Sequence, residues 1–152
     1  GFGFDSALKV VNSALLVKSG DESLATLDCA CIDLFTGRAE LYKAGAPATY
    51  IVKGNRITKC ELSSMPAGIL RNIEFAKRTA ALGDGDLIVM LSDGITEPGG
   101  EWLTAMLSGA GEMSAQQIAD EIVKTALSLT KDMREDDMSV IAARLHKFDD
   151  EF

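Results

Sequence analysis

Positive charge is scarce in this sequence. Fifteen Lys and Arg stand against 23 Asp and Glu, a formal net charge of −8. Non-specific nucleic-acid binding needs a basic face, so a nucleic-acid partner is not expected. An anionic substrate has to find its positive charge locally, from a metal ion, an arginine or backbone N–H groups. Histidine is nearly absent: the single one, His146, lies far down the chain. The three cysteines, Cys29, Cys31 and Cys60, are odd in number and contain no CxxC pair. They suggest neither a disulfide framework nor a zinc site, and read as small buried residues in a reducing cytoplasm. Long apolar runs are also missing. The longest apolar helical stretch, ALKVVNSALLVK, is interrupted by Lys9, Asn12 and Ser13. That is too short and too polar to span a bilayer, and no signal-peptide pattern precedes it.

What remains is a chain of 152 residues, 47% hydrophobic and 25% charged, enough for a folded domain with its own core. Residues 5–18 read as an amphipathic helix, with Asp5 as N-cap and Ala7, Leu8, Val11, Ala14 and Leu15 sharing a face. A β-rich stretch follows. LATLDCACIDLF is a strand closed by a turn at Thr36–Gly37, and AELYKAG pairs back on it. ATYIVKGNRITKCEL is a hairpin turning at Gly54–Asn55 between β-branched and aromatic residues. The loop SSMPAGIL leads to a further strand in IEFAKRTAAL, and GDGD turns tightly into the strand LIVMLS. The chain then becomes helical, first near Trp102–Leu107 and then from Ser114. There Ser114 and Gln117 have capping-box spacing, and Ile118, Ile122, Ala126 and Leu129 line one face. MSVIAARL is the last strand. Strands are grouped rather than alternating with helices, which predicts an α+β sandwich and not a doubly wound sheet.

Two acidic clusters flank buried strands. In DLIVMLSDGITE an apolar run ends on Asp93-Gly94; about forty residues on, in MREDDMSVIAARL, Asp136 and Asp137 open another. An Asp-Gly pair at a strand end is commonly a turn, and an acidic stretch before a strand is commonly a solvated edge. If the two strands lie side by side, however, the carboxylates converge. Mg²⁺ and Mn²⁺ prefer oxygen ligands and keep several waters, so few carboxylates are needed. A water acidified between two such ions can attack phosphorus without a nucleophilic side chain, which suits a chain with one histidine. Glycine after Asp93 lets the backbone turn sharply. A phosphate loop built on GDGD or KAGAPA is a weaker reading, because neither has the lysine–serine/threonine ending such a loop needs. Trp102, Met90 and Met106 read as packing residues.

The ordered blocks KVVNSALLVKSGDESLATLDCACIDLFTG, KAGAPATYIVKGN, SMPAGIL, LIVMLSDGITE and EDDMSVIAARL resemble the metal-dependent protein serine/threonine phosphatases, the type 2C or PPM family, and within it the sporulation members. The resemblance runs nearly end to end. It implies a four-layer α-β-β-α sandwich, here a truncated version lacking N-terminal strands. Residues 1–148 would be the C-terminal part of the phosphatase domain, and 149–152 a tail. It also implies a binuclear Mn²⁺ or Mg²⁺ site and hydrolysis of phosphoserine or phosphothreonine on a protein. For the sporulation members the implied substrate is a phosphorylated anti-sigma factor antagonist, whose release frees a sigma factor. Carried over by position, Asp93 of SDG and Asp136 of DDMSV are ligands of one metal. Asp137 stands where other members often carry asparagine and has a supporting role, as does Gly94. The parent protein can carry membrane spans, with this domain on the cytoplasmic face.

One element of the family's pattern has no counterpart. The upstream DGMG-like stretch, which supplies the aspartate bridging the two metals, is not matched in GFGFDSALKVV. Asp5 is not followed by glycine, and Gly20-Asp21 falls after the helix. The expectation is weak metal binding and little or no phosphatase activity for this chain by itself. Open sheet edges or the first helix could then support a homodimer. The alternative is a non-catalytic regulatory or docking domain that keeps the phosphatase fold.

Overall fold

The structure, a computed structural model, describes residues 3–18, 24–96, 99–130 and 136–147. Gly20, Asp21 and the 149–152 tail lie outside the described residues. The chain divides into two compact units, residues 1–46 with 62–80 and residues 47–61 with 81–152.

In the first unit, helix α1 (Phe4–Lys18) precedes a sheet of order β1-β2-β5, formed by β1 (Leu27–Ile32), β2 (Arg38–Ala44) and β5 (Ala76–Ala81). β1 and β2 are antiparallel, from Leu27 opposite Ala44 to Ile32 opposite Ala39. Asp33 builds the turn between them by accepting from the amides of Phe35 and Thr36, which holds its carboxyl below the usual range. Opposite each other on this hairpin, Lys43 and Asp28 form a 2.6 Å ion pair, with the lysine side chain fully buried. Gly45 has a positive φ of 66°, and a β-carbon there would lie 2.7 Å from Cγ of Pro66. The KAG and SMP motifs therefore meet where only glycine fits.

Helix α1 departs from its periodicity in two ways. Asp5 lies inside the first turn and not at the cap; the amides of Ser6 and Ala7 reach back to the carbonyl of Gly3. Its buried positions are Leu8 and Asn12, with Leu15 partly buried, whereas Ala7, Val11 and Ala14 are exposed. Asn12 replaces an apolar residue on the inner face because it serves the backbone of the SMPAGIL loop. Its side chain donates to the Leu70 carbonyl at 2.9 Å and accepts from the Gly68 amide at 2.8 Å.

The second unit holds a sheet of order β4-β3-β6-β7, formed by β3 (Thr49–Lys53), β4 (Arg56–Cys60), β6 (Leu87–Leu91) and β7 (Val140–Arg144), with helices α2 (Asp93–Thr96), α3 (Glu101–Ser108) and α4 (Ala115–Leu129). β3 and β4 turn at Gly54–Asn55, and Gly54 takes φ 52°. The buried strand β6 lies between β3 and β7, antiparallel to both. Tyr50, Leu87, Val89, Ile95, Leu103, Leu107, Ile118 and Ile122 form the core. Trp102 and Met106 pack against it, as their apolar character predicts. The Ser114 capping box is complete, with the hydroxyl accepting from Gln117 N–H and the Gln117 side chain accepting from Ser114 N–H. Ile118, Ile122 and Ala126 are buried as the α4 periodicity predicts, but Leu129, in the last turn, is exposed. Arg144 ties the α3–α4 connection to the sheet by donating to the carbonyls of Gly85, Ala110 and Met113. The α+β class and the two antiparallel sheets agree with the expectation from sequence.

Candidate functional site

The apolar run of β6 makes it a central strand, and its register with β7 decides what happens at its end. Leu91 pairs with Val140 as the last rung of the ladder. One residue further, the Ser92 amide donates to the Ser139 carbonyl at 3.0 Å. The two acidic segments thus emerge from adjacent strands at the same end of the sheet. Asp93 opens the single-turn helix α2, and Asp136 and Asp137 lead into β7.

Ser92 and Gly94 hold the two segments together. The Ser92 hydroxyl donates to the Asp137 carbonyl at 3.0 Å and accepts from the Ser139 amide at 2.8 Å. Gly94 is buried, and a β-carbon on it would sit 2.7 Å from the Asp137 carbonyl oxygen. The close approach of two backbones, rather than an unusual φ, is what requires glycine here. Asp93 and Asp136 share a local geometry: one oxygen of each carboxylate accepts from the following amide, Gly94 N–H at 3.2 Å and Asp137 N–H at 2.8 Å. Asp93, Asp136 and Asp137 are all exposed at the surface. His146 is exposed as well.

Sequence reasoning named Asp93, Gly94, Asp136 and Asp137 and missed Ser92. The available signal was a hydroxyl residue immediately before the strand-end aspartate, where the sheet ladder stops.

The donor chemistry suits a hard divalent cation, since carboxylate oxygens in an exposed, hydrated position are what Mg²⁺ and Mn²⁺ accept. The donor number is low: among the described residues no group of three or more His, Cys, Asp or Glu side chains converges. The residues fit such an ion as part of a ligand set.

Comparison with known proteins identifies the family. The profile of the family described as Stage II sporulation protein E (SpoIIE) matches residues 1–146. The chain belongs to the SpoIIE family. It is 30% identical over 145 residues to stage II sporulation protein E of Bacillus subtilis (strain 168), covering 91% of this chain and 18% of that protein. Among solved structures, it resembles the PP2C phosphatase domain with a fragment of the regulatory domain of SpoIIE from Bacillus subtilis. The TM-score there is 0.84 at 30% identity, covering 96% of this chain and 46% of that one. The manganese-presoaked phosphatase domain of the same protein matches with a TM-score of 0.71 at 30% identity, covering 97% and 67%. The fold is therefore that of a SpoIIE-type PP2C phosphatase domain, and the chain spans about a fifth of the length of the curated Bacillus subtilis relative. No helix among the described residues is long and apolar enough to cross a membrane.

Proposed function

We propose that this SpoIIE-family chain is part of a metal-dependent phosphoprotein phosphatase, with Asp93 and Asp136 as ligands of one divalent cation, Mn²⁺ or Mg²⁺. The observation that carries this reading is the seating of the Asp136–Asp137 segment on Ser92 and Gly94, which brings the two acidic segments to one end of the β6–β7 pair. Family membership supports the reaction class, and a manganese-presoaked relative supports the kind of ion.

In this reading Asp93 and Asp136 offer carboxylate oxygens to the ion while their following amides hold one oxygen of each. Gly94 lets the Asp137 backbone approach closely, and Asp137 contributes its carbonyl to the seat while its exposed side chain lies beside the ligands. When bound, divalent cations supply charge for the phosphoryl oxygens and acidify a water for attack on phosphorus. Removal of the phosphoryl group then needs no covalent intermediate on the chain. The substrate proposed is a phosphoserine of a phosphorylated anti-sigma factor antagonist, acted on in the cytoplasm during sporulation. The two carboxylates are too few for a complete binuclear centre. This chain alone therefore binds metal weakly and turns over little phosphoprotein.

The test compares this chain with the whole protein on a serine-phosphorylated antagonist, with and without Mn²⁺. The expected result is Mn²⁺-dependent turnover by the whole protein, reduced about a hundredfold or more in Asp93→Asn and Asp136→Asn, and little by this chain. Turnover indifferent to both substitutions would overturn the reading. A second reading, a regulatory or docking domain that keeps the fold, is favoured by the absence of a cluster of three or more ligand side chains among the described residues. Its signature is a whole protein that binds the phosphorylated antagonist without hydrolysing it.

A further inference from the structure

We infer that Ser92 is a positioning residue for the cation site: its hydroxyl sets the Asp136 carboxylate by gripping the backbone of Asp137 and Ser139. The inference rests on the metal-ligand reading above and goes beyond it by assigning the residue that aligns the two ligands.

The sheet itself does not align them. The β6–β7 ladder ends at Leu91 opposite Val140, and the ligands lie beyond it. A hydroxyl carries one donor hydrogen and two acceptor lone pairs. Ser92 commits the hydrogen to the Asp137 carbonyl and one lone pair to the Ser139 amide, at 3.0 and 2.8 Å. With its own amide on the Ser139 carbonyl, this one residue makes three bonds to the segment that enters β7. Gly94 closes the seat from the other side, where the Asp137 carbonyl oxygen would lie 2.7 Å from a β-carbon.

The grip reaches the carboxylate through a short path. Fixing Asp137 fixes its amide, and that amide donates to Asp136 Oδ1 at 2.8 Å. The orientation of the Asp136 carboxylate thus follows the orientation of the Asp137 backbone. Asp93 is covalently attached to Ser92, so the same residue references both ligands to one frame. Partners that orient metal ligands in this way typically cost ten- to a hundredfold in metal affinity when removed.

The experiment titrates Mn²⁺ into the whole protein and into its Ser92→Ala, Ser92→Thr, Ser92→Cys and Asp93→Asn variants. Free Mn²⁺ is followed by electron paramagnetic resonance, and amide exchange at Ser139 is read without metal. Ser92→Ala is expected to weaken Mn²⁺ binding about tenfold or more and to speed exchange at Ser139. Ser92→Thr, which keeps the hydroxyl, is expected to stay near wild type in both. Wild-type affinity in Ser92→Ala together with lost affinity in Asp93→Asn overturns the role of Ser92 and leaves the metal reading standing. Unchanged affinity in Asp93→Asn overturns the metal reading, and the inference falls with it. If Ser92→Ala fails to fold, Ser92→Cys decides. Its weakly donating thiol is expected to lower affinity, and wild-type binding there overturns the inference.

Discussion

The α-carbon of Gly94 faces the carbonyl of Asp137 so closely that a β-carbon would stand 2.7 Å from the oxygen and 3.3 Å from its carbon. Both partners are backbone, so neither can rotate away. Gly94→Ala must push the Asp136–Asp137 segment off its seat, and overpacking of this kind costs about 1–3 kcal/mol. Urea denaturation of the variant measures the loss. Stability equal to the parent would mean that the segment yields freely and that Gly94 is not a structural requirement.

Asn12 joins α1 to a loop 56 and 58 residues away in sequence, through the Gly68 amide and the Leu70 carbonyl. The side chain is 1% exposed. Asn12→Ala removes both bonds at once, and the expected cost is about 1–3 kcal/mol, the penalty of leaving part-buried backbone groups without partners. Hydrogen exchange at Gly68 gives a local check: its amide should lose protection in the variant. Unchanged protection there would contradict the bond.

Tyr50 gives the second unit an alkaline limit. Burial raises its phenol above the ordinary tyrosine value, Lys59 opposes the shift and Glu61 adds to it. A group whose folded pKa is raised stabilises fully below its unfolded pKa and loses that contribution as pH climbs through the folded value. Stability is therefore expected to fall above about pH 10. In the same unit Lys59 is raised by its hydrogen bond to Glu61 and acts in the same direction. Tyr50→Phe isolates the phenol, since its stability curve should fall less steeply above about pH 10. Superimposable curves would exclude a contribution from Tyr50.

Cys29 should be a sluggish thiol. Burial raises its pKa, and the neighbouring Asp28 and Cys31 raise it further. Less thiolate at a given pH means slower alkylation. Iodoacetamide labelling at pH 8, read by mass spectrometry, should proceed more slowly at Cys29 than at a cysteine in an unstructured peptide. Faster labelling would point to a positive neighbourhood instead.

Much of the secondary structure was legible because its causes are local. β-branched and aromatic residues mark β3 and β4, the Gly–Asn pair marks the hairpin turn between them, and the capping box marks the start of α4 to the residue. The errors fall where a distant segment decides burial. Val11 has α1 spacing for the inner face but is exposed, while polar Asn12 is buried because a loop needs its amide. Leu129 satisfies the α4 period yet ends the helix in solvent. Asp5 has the chemistry of a cap, but the helix begins one residue earlier, at Phe4. Ser92 offers only a local hint, a hydroxyl before the strand-end aspartate; its role needs partners, Asp137 and Ser139, that lie 45 and 47 residues away.

The amino-acid order alone determined the α+β class, the order of strands and helices, the acidic balance and the two aspartate-bearing motifs, since composition, periodicity and turn chemistry act over a few residues. Only the tertiary structure decided that SDG and DDMS share one seat. That depends on the antiparallel register of β6 and β7, in which a slip of one residue would turn every side chain to the opposite face and take Ser139 away from Ser92.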